Sequence, residues 1–271
     1  MKLKKIIIAG LSLGILSSSL IASAEQAKAN EYRNILNSNK FCVEYEDRYL
    51  KVSIAEEDKK RVNYRTYKLS GVGGWASLFM GEPKKEIAAI FIDGRYYQFN
   101  DFRDKKKAIM ATRDQIKDPC IDPREGWSTV RGTLSLPTAL RPVLDADRFN
   151  DNYYTIAKPA YKDSGTETDK KNNTYDYDRY TTEVKNAAGK VIMEKSYIFY
   201  YLNGEINKIK LVNKMINSGQ EIVEQELNNV KILSNMPEKI NVAIPEGTKV
   251  YGAGLGDMDD LLEQPPLLEQ Y

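Results

Sequence analysis

Segments of alternating apolar residues, separated at short intervals by Asn-Gly and Asp-Gly pairs, restrict this chain to a largely antiparallel β architecture. Tyr175–Val184 leads through Asn186-Ala187-Ala188-Gly189 into Val191–Leu202, Asn203-Gly204 turns that into Ile206–Ile216, and Asn217-Ser218-Gly219 turns it again into Glu221–Leu233. Four strands joined by such short turns form a continuous antiparallel sheet. Upstream, Ile87–Ile92 and Arg95–Phe99 flank Asp93-Gly94, the pair that a tight primed turn needs because both central positions take positive φ. Eighteen tyrosines suit a pleated, half-buried surface better than a helix.

The remaining elements follow from the same reading. Glu31–Asn37 is expected to open the fold as a short helix, with strands at Lys40–Glu46, Tyr49–Ala55, Arg61–Leu69 and Lys107–Thr112. Trp127–Leu136 is apolar without a clear period. Pro137–Phe149 reads as an amphipathic helix, since Leu140, Val143, Leu144 and Phe149 share a face and Pro137 stands where its missing N–H does no harm. Tyr153–Ala157 is expected to pair with Tyr175–Val184 across a flexible polar loop, Lys162–Asn173. Ile206 and Val212 fall on one side of their strand and Ile209 and Leu211 on the other, which predicts partial burial of both faces and a curved sheet. Ile244–Tyr251 reads as a last extended piece, and residues 252–271 as a flexible acidic tail with a short helix after Asp257.

Met1–Ala24 has the form of a secretory signal, with Lys2, Lys4 and Lys5 before the apolar run Ile6–Leu16 and a small-x-small site at Ala22-Ser23-Ala24. A second such site is Ala27-Lys28-Ala29, so the mature start is expected at Glu25 or Asn30. Export implies a periplasmic or extracellular location, and no transmembrane segment is expected after cleavage. Without the three signal lysines, 37 basic residues face 38 acidic ones, a net charge of −1, which gives no reason to expect nucleic acid as a partner. Cys42 and Cys120 are the only cysteines. In an oxidising compartment a single disulfide between them would contribute roughly 4 kcal/mol by loop entropy, while a buried thiol in the alternating segment Phe41–Tyr45 is the other reading.

Histidine is absent from all 271 positions, which removes Ser-His-Asp and Cys-His nucleophiles and imidazole zinc sites. A hydrolase built on two carboxylates stays open, but nothing in the sequence pairs two acids. Gly252-Ala253-Gly254-Leu255-Gly256 lacks the spacing of a phosphate loop, and the acids around Asp257 complement a helix start. No cofactor or metal is expected. The most unusual composition is Gly71–Gly81, three glycines and then Trp75, Leu78, Phe79 and Met80, read as either a mobile apolar arm or a core plug. Trp127, Leu136, Leu140, Val143 and Leu144 supply further apolar surface that sheet pairing does not need.

Phe41–Leu69, Ile87–Phe99 and above all Tyr175–Leu233, with its Phe199-Tyr200-Tyr201-Leu202-Asn203-Gly204 hairpin, resemble in arrangement the periplasmic lipoprotein-carrier (LolA-like) proteins. The resemblance covers most of the chain and is architectural, so it transfers no functional residue. It implies an α+β, mainly antiparallel fold over residues 30–251: a curved half-barrel sheet with helices covering the concave face. It also implies a non-enzymatic carrier or binding protein for an apolar ligand, a lipid or the acyl group of an acylated protein. A cell-envelope interaction module that grips a protein partner is the alternative from another class.

Overall fold

A computed structural model of the chain describes residues 29–48, 50–67, 86–99, 107–112, 134–144, 157–238 and 240–252. The expected signal Met1–Ala24, the segment 71–81, Trp127, Cys120 and the residues beyond 252 lie outside the described residues. The described chain is mostly antiparallel β sheet, open rather than closed, with few helices. It divides into two compact units, residues 1–37 with 138–225 and residues 38–137 with 226–271, where the sequence suggested one body over 30–251.

The first unit contains helix α1 (residues 29–36), a short 3-10 helix Thr138–Val143, and strands β7 Ala160–Thr168, β8 Thr174–Lys185, β9 Val191–Leu202 and β10 Glu205–Met215. It also holds the first residues of β11 Glu221–Leu233. These strands lie in the order β11-β10-β9-β8-β7. The Asn203-Gly204 turn has φ of 53° and 76°, the left-handed pair that a primed hairpin requires. Asn186 ends β8 by accepting the N–H groups of Ala188 and Lys190 on its side-chain oxygen, each at 3.0 Å.

Three sequence expectations change here. Lys162–Asn173 is not a loop: most of it is β7, an edge strand. The turn that follows it closes on Asp169, whose carboxylate accepts the N–H groups of Lys171 and Asn173 at 2.7 and 3.0 Å. The side chains of this strand face water and carry no apolar alternation, so its sequence has the pattern of a polar loop. The Tyr177 ring covers Gly165, where a Cβ would stand 2.9 Å from the ring hydroxyl. Second, the Pro137–Phe149 helix is, as far as residue 144, a six-residue 3-10 helix with Pro142 inside it. Proline has no N–H to give and its ring collides with the carbonyl four residues back, so an α-helix cannot run through it. Third, Ile206 changes sides, because the register shifts between Ile206 and Lys208, while Val212 on the other face is half-buried as a two-sided strand requires. This bulge at Asn207 turns Ile206 onto the face of Ile209 and Leu211, and all three are buried.

The second unit contains β1 Lys40–Glu46, β2 Leu50–Glu57, β3 Lys60–Tyr67, β4 Glu86–Ile92, β5 Arg95–Phe99, β6 Lys107–Thr112 and β12 Lys249–Gly252. With the end of β11, their order is β12-β6-β5-β4-β3-β2-β1-β11. Asp93-Gly94 forms the expected primed turn, at φ of 51° and 77°. The last piece pairs in parallel with β6, which its sequence did not reveal. Cys42, Ala55, Val62, Ile90, Tyr97, Phe99 and Val250 build the core. Tyr64 clips the returning chain to β3, its hydroxyl donating to the Asn241 carbonyl at 2.9 Å and accepting the Asn241 N–H at 3.3 Å.

Glu56, 5% exposed, accepts the Nε–H of Arg61 at 2.8 Å, and Arg61 Nη1 donates to the Leu134 carbonyl at 3.1 Å. Removing one partner of such a pair leaves a charge stranded in low dielectric, so Arg61→Ala is expected to cost about 3 kcal/mol in urea denaturation. Lys40→Ala breaks the half-exposed pair to Glu57 and is expected to cost less than about 1 kcal/mol in the same measurement.

Candidate functional site

Alternation along the first unit's strands collects one face of aromatic and aliphatic side chains. On β8 it presents Asp178, Tyr180 and Thr182, on β9 Tyr197, Phe199 and Tyr201, and on β10 Ile206, Ile209 and Leu211, paired in register as Asp178↔Phe199, Ile209↔Phe199 and Leu211↔Tyr197. Tyr197, Phe199, Ile209 and Leu211 have no exposed surface. The Tyr180 and Phe199 rings meet edge to face, 5.6 Å apart at 73°, an arrangement that adds to their burial.

Two short helical elements complete the first unit. The 3-10 helix packs against β9 and β10, with Ala139, Leu140, Arg141, Pro142 and Val143 buried. Helix α1 buries Ala29, Tyr32 and Leu36. Its Tyr32 hydroxyl accepts the Ile206 N–H at 3.1 Å and donates to Glu205 Oε2 at 3.2 Å, which fastens α1 to the start of β10. Arg33 Nη2 donates to the Pro142 carbonyl at 3.1 Å, tying the two elements together, and the Ala139 N–H donates to Gln225 Oε1 at 2.9 Å.

A polar group is set into the apolar face. Asp178 is wholly buried, and its Oδ2 accepts the Tyr201 hydroxyl at 3.1 Å. Burial, and after it the nearby Asp178 charge, pushes the Tyr201 hydroxyl far above the ordinary tyrosine range. The same two causes raise Tyr180 to about 12, against the opposing pull of Arg33. Both phenols therefore stay neutral at physiological pH and act as hydrogen-bond donors rather than nucleophiles. Among the described residues no group of three or more His, Cys, Asp or Glu side chains could hold a metal ion. What the arrangement offers is an apolar surface with a few fixed donors and one buried carboxylate, the usual make-up of a site that orients a mainly apolar molecule.

Of the residues singled out from sequence, Leu140, Val143 and Leu144 come together on or beside the 3-10 helix of the first unit. All three are buried. Leu136 is buried too, but belongs to the second unit. Trp75, Leu78, Phe79, Met80 and Trp127 lie outside the described residues. So does Cys120, while Cys42 is buried in the second unit's core. Sequence reasoning missed Asp178, Tyr180, Tyr201 and Tyr32. In Tyr175-Asp176-Tyr177-Asp178 the two acids share a face by parity, yet Asp178 is buried and Asp176 exposed, and only the third dimension separates them.

The opposite face carries a second aromatic cluster. Lys208 Nζ lies 4.9 Å from the Tyr175 ring centre and 5.5 Å from that of Tyr200, Lys210 Nζ 5.3 Å from Tyr200, and the Arg179 guanidinium 5.5 Å from Tyr177. Glu167 accepts the Tyr200 hydroxyl at 2.8 Å, Asp169 that of Tyr175 at 3.3 Å, and Asp163 stands 3.6 Å from Arg179. Three cations are matched in number by three acids, although Arg179 Nε and Asp163 Oδ1, 3.6 Å apart, make no hydrogen bond. The cluster makes a well-braced outer surface with no charge left over for a ligand.

Comparison with known protein families, curated proteins and solved structures finds no match to this chain.

The buried tyrosines give a pH dependence. Their folded pKa lies above the unfolded value of 10.0, so the stability tied to the neutral phenol is complete below pH 10 and declines as pH rises from there through about 12. Urea denaturation at pH 7 and pH 11, with tyrosinate absorbance followed in parallel, should show that loss. Tyr201→Phe should reduce the alkaline loss while costing about 1–3 kcal/mol at pH 7, because Asp178 forfeits a hydrogen bond in a buried setting.

Proposed function

We propose that this protein is an exported, non-enzymatic carrier or binding protein for an apolar ligand, a lipid or the acyl group of an acylated protein. In this reading the first unit's sheet is the curved half-barrel of the lipoprotein-carrier resemblance, and α1 and the 3-10 helix are its cover. The observation that supports it most is the nature of that cover. A six-residue 3-10 helix interrupted by Pro142 packs against β9 and β10, the strands that carry the aromatic and aliphatic residues. Two polar tethers, Arg33 to Pro142 and Ala139 to Gln225, hold this segment.

A 3-10 turn of this length has few backbone bonds of its own, so lifting it breaks little regular structure. Local opening draws on elements of this low stability. A ligand entering beneath it would meet Leu140, Val143, Phe199, Ile209 and Leu211, with the Tyr180 hydroxyl able to donate to a polar head while the Tyr201 proton stays in its hydrogen bond to Asp178. The alternative module, which would use an exposed strand edge or the acidic tail, has less support in β7. That edge is bulged at Lys162 and charged along its length, devices that discourage strand addition.

Native mass spectrometry and lipid extraction of protein purified from an exporting host test the proposal, together with titration of an apolar fluorescent probe. The expected result is a co-purifying lipid or saturable probe binding. Leu140→Trp, which enlarges a wholly buried side chain of the 3-10 helix that packs on β9 and β10, should weaken probe binding by about tenfold, on the scale of the apolar contact area it takes from a ligand. Protein that emerges empty and binds no apolar probe would overturn the reading.

A further inference from the structure

Among the described residues, large apolar side chains stand exposed at Tyr161, Met215, Ile216, Ile222 and Val223. Four of these five sit at one hairpin end, where β10 turns into β11 through 217–220. Their exposures are 37%, 48%, 48% and 52% in chain order. The end is well formed: the Met215 N–H donates to the Gln220 carbonyl at 2.9 Å, the Gly219 N–H to the Met215 carbonyl at 2.8 Å, and the Ile216 N–H to the Ile192 carbonyl of β9 at 3.1 Å. Met193 pairs with Met215, and the neighbouring β8–β9 turn adds Ala187 and Ala188, both exposed. Scattered exposed apolar residues are ordinary, but a contiguous group marks a surface that something else covers.

We propose that this end of the first unit docks on an anionic lipid bilayer, inserting the Met215-Ile216 and Ile222-Val223 side chains at the headgroup boundary. Two observations select that occupant. Ile222 and Val223 are successive in β11 and so project to opposite faces of the hairpin. One flat protein surface covers a single face, whereas a fluid interface surrounds a tip on all sides. The second is charge. Glu183, Glu194, Glu221 and Glu224 are ion-paired with Lys185, Lys162, Lys214 and Lys195, at 3.6, 3.1, 3.9 and 2.8 Å. Lys190, in the adjacent turn, has no carboxylate partner among the described residues. Five lysines against four glutamates leave one positive charge beside the apolar tip, and amphipathic surfaces of this kind bind anionic lipid by apolar burial plus electrostatic attraction.

The inference deepens the carrier reading by naming where such a protein would meet its cargo, but its test is separate. The mature chain is mixed with sedimentable vesicles of phosphatidylcholine alone or with phosphatidylglycerol added, and the bound fraction is measured. Binding to the anionic vesicles is expected. The double variant Ile222→Thr/Val223→Thr should lose it by about tenfold, with a thermal midpoint near that of wild type because threonine keeps the β-branch and adds no charge. Lys190→Ala should weaken binding about fivefold on anionic vesicles only. Wild-type protein that stays in the supernatant with both vesicles overturns the proposal, as does a double variant that binds like wild type. Self-association in size-exclusion chromatography that disappears in the double variant, without vesicle binding, would overturn it in favour of a second copy as occupant. Vesicle binding by protein that holds no apolar probe would sink the carrier reading and leave this inference standing, and the reverse pattern would do the opposite.

Discussion

The bulge at Asn207 is the constraint on which the first unit depends. Side chains of a strand alternate strictly, so without the extra residue Ile206 would face away from Ile209 and Leu211. With it, Ile206 pairs with Tyr201 and Lys208 with Tyr200. Ile206, Ile209 and Leu211 then gather on one face, and Lys208, Lys210 and Lys214 fall with Val212 on the other. The inner face becomes continuous with Tyr197, Phe199 and Tyr201 of β9, and the outer face receives the ammonium groups that lie over its tyrosine rings. The same irregularity places the Ile206 N–H where Tyr32 can use it, so the docking of α1 also follows from that single inserted residue.

Turns and pairing were legible in the sequence because they rest on local chemistry. Asn203-Gly204 and Asp93-Gly94 adopt positive φ for reasons contained within two residues, and β1, β6, β9 and β11 run over the spans that their alternation indicated. What failed to show depended on remote partners. The polar strand β7 exists because β8 offers it a ladder, and the parallel pairing of β12 with β6 joins segments far apart in the chain. The proline at 142 was visible and should have shortened the expected helix. Leu140, Val143 and Leu144 have a helical period, but a proline in a helix interior prevails over a pattern of this length.

The inner polar group has a cost that shapes what the face can do. A buried carboxylate is expensive unless hydrogen-bonded, and a fully apolar replacement of similar shape is commonly neutral or stabilising. Asp178 and the tyrosines around it are therefore poor choices for stability alone. They suit a surface that must hold polar groups in a fixed orientation, since Tyr180 and Tyr201 are held neutral by burial and by the Asp178 charge and the Tyr201 proton stays in its hydrogen bond to Asp178. On the outer face the balance runs the other way: every phenol and cation named there is braced by a neighbouring ring or acid, which suits a surface with no need to change.

The contrast between the two exposed extremities of the first unit bears on function. At β7 the chain protects itself, with a bulge at Lys162, charged side chains along the strand, and Tyr177 laid across Gly165. These are the measures by which edge strands avoid unwanted pairing. At the β10–β11 end the reverse is found, since Met215, Ile216, Ile222 and Val223 stand in water although polar residues would serve a hairpin tip as well and aggregate less. Stability does not require these four, because none contributes to the buried core. A chain that guards one extremity so fully and leaves the other apolar has a use for the second that water does not supply.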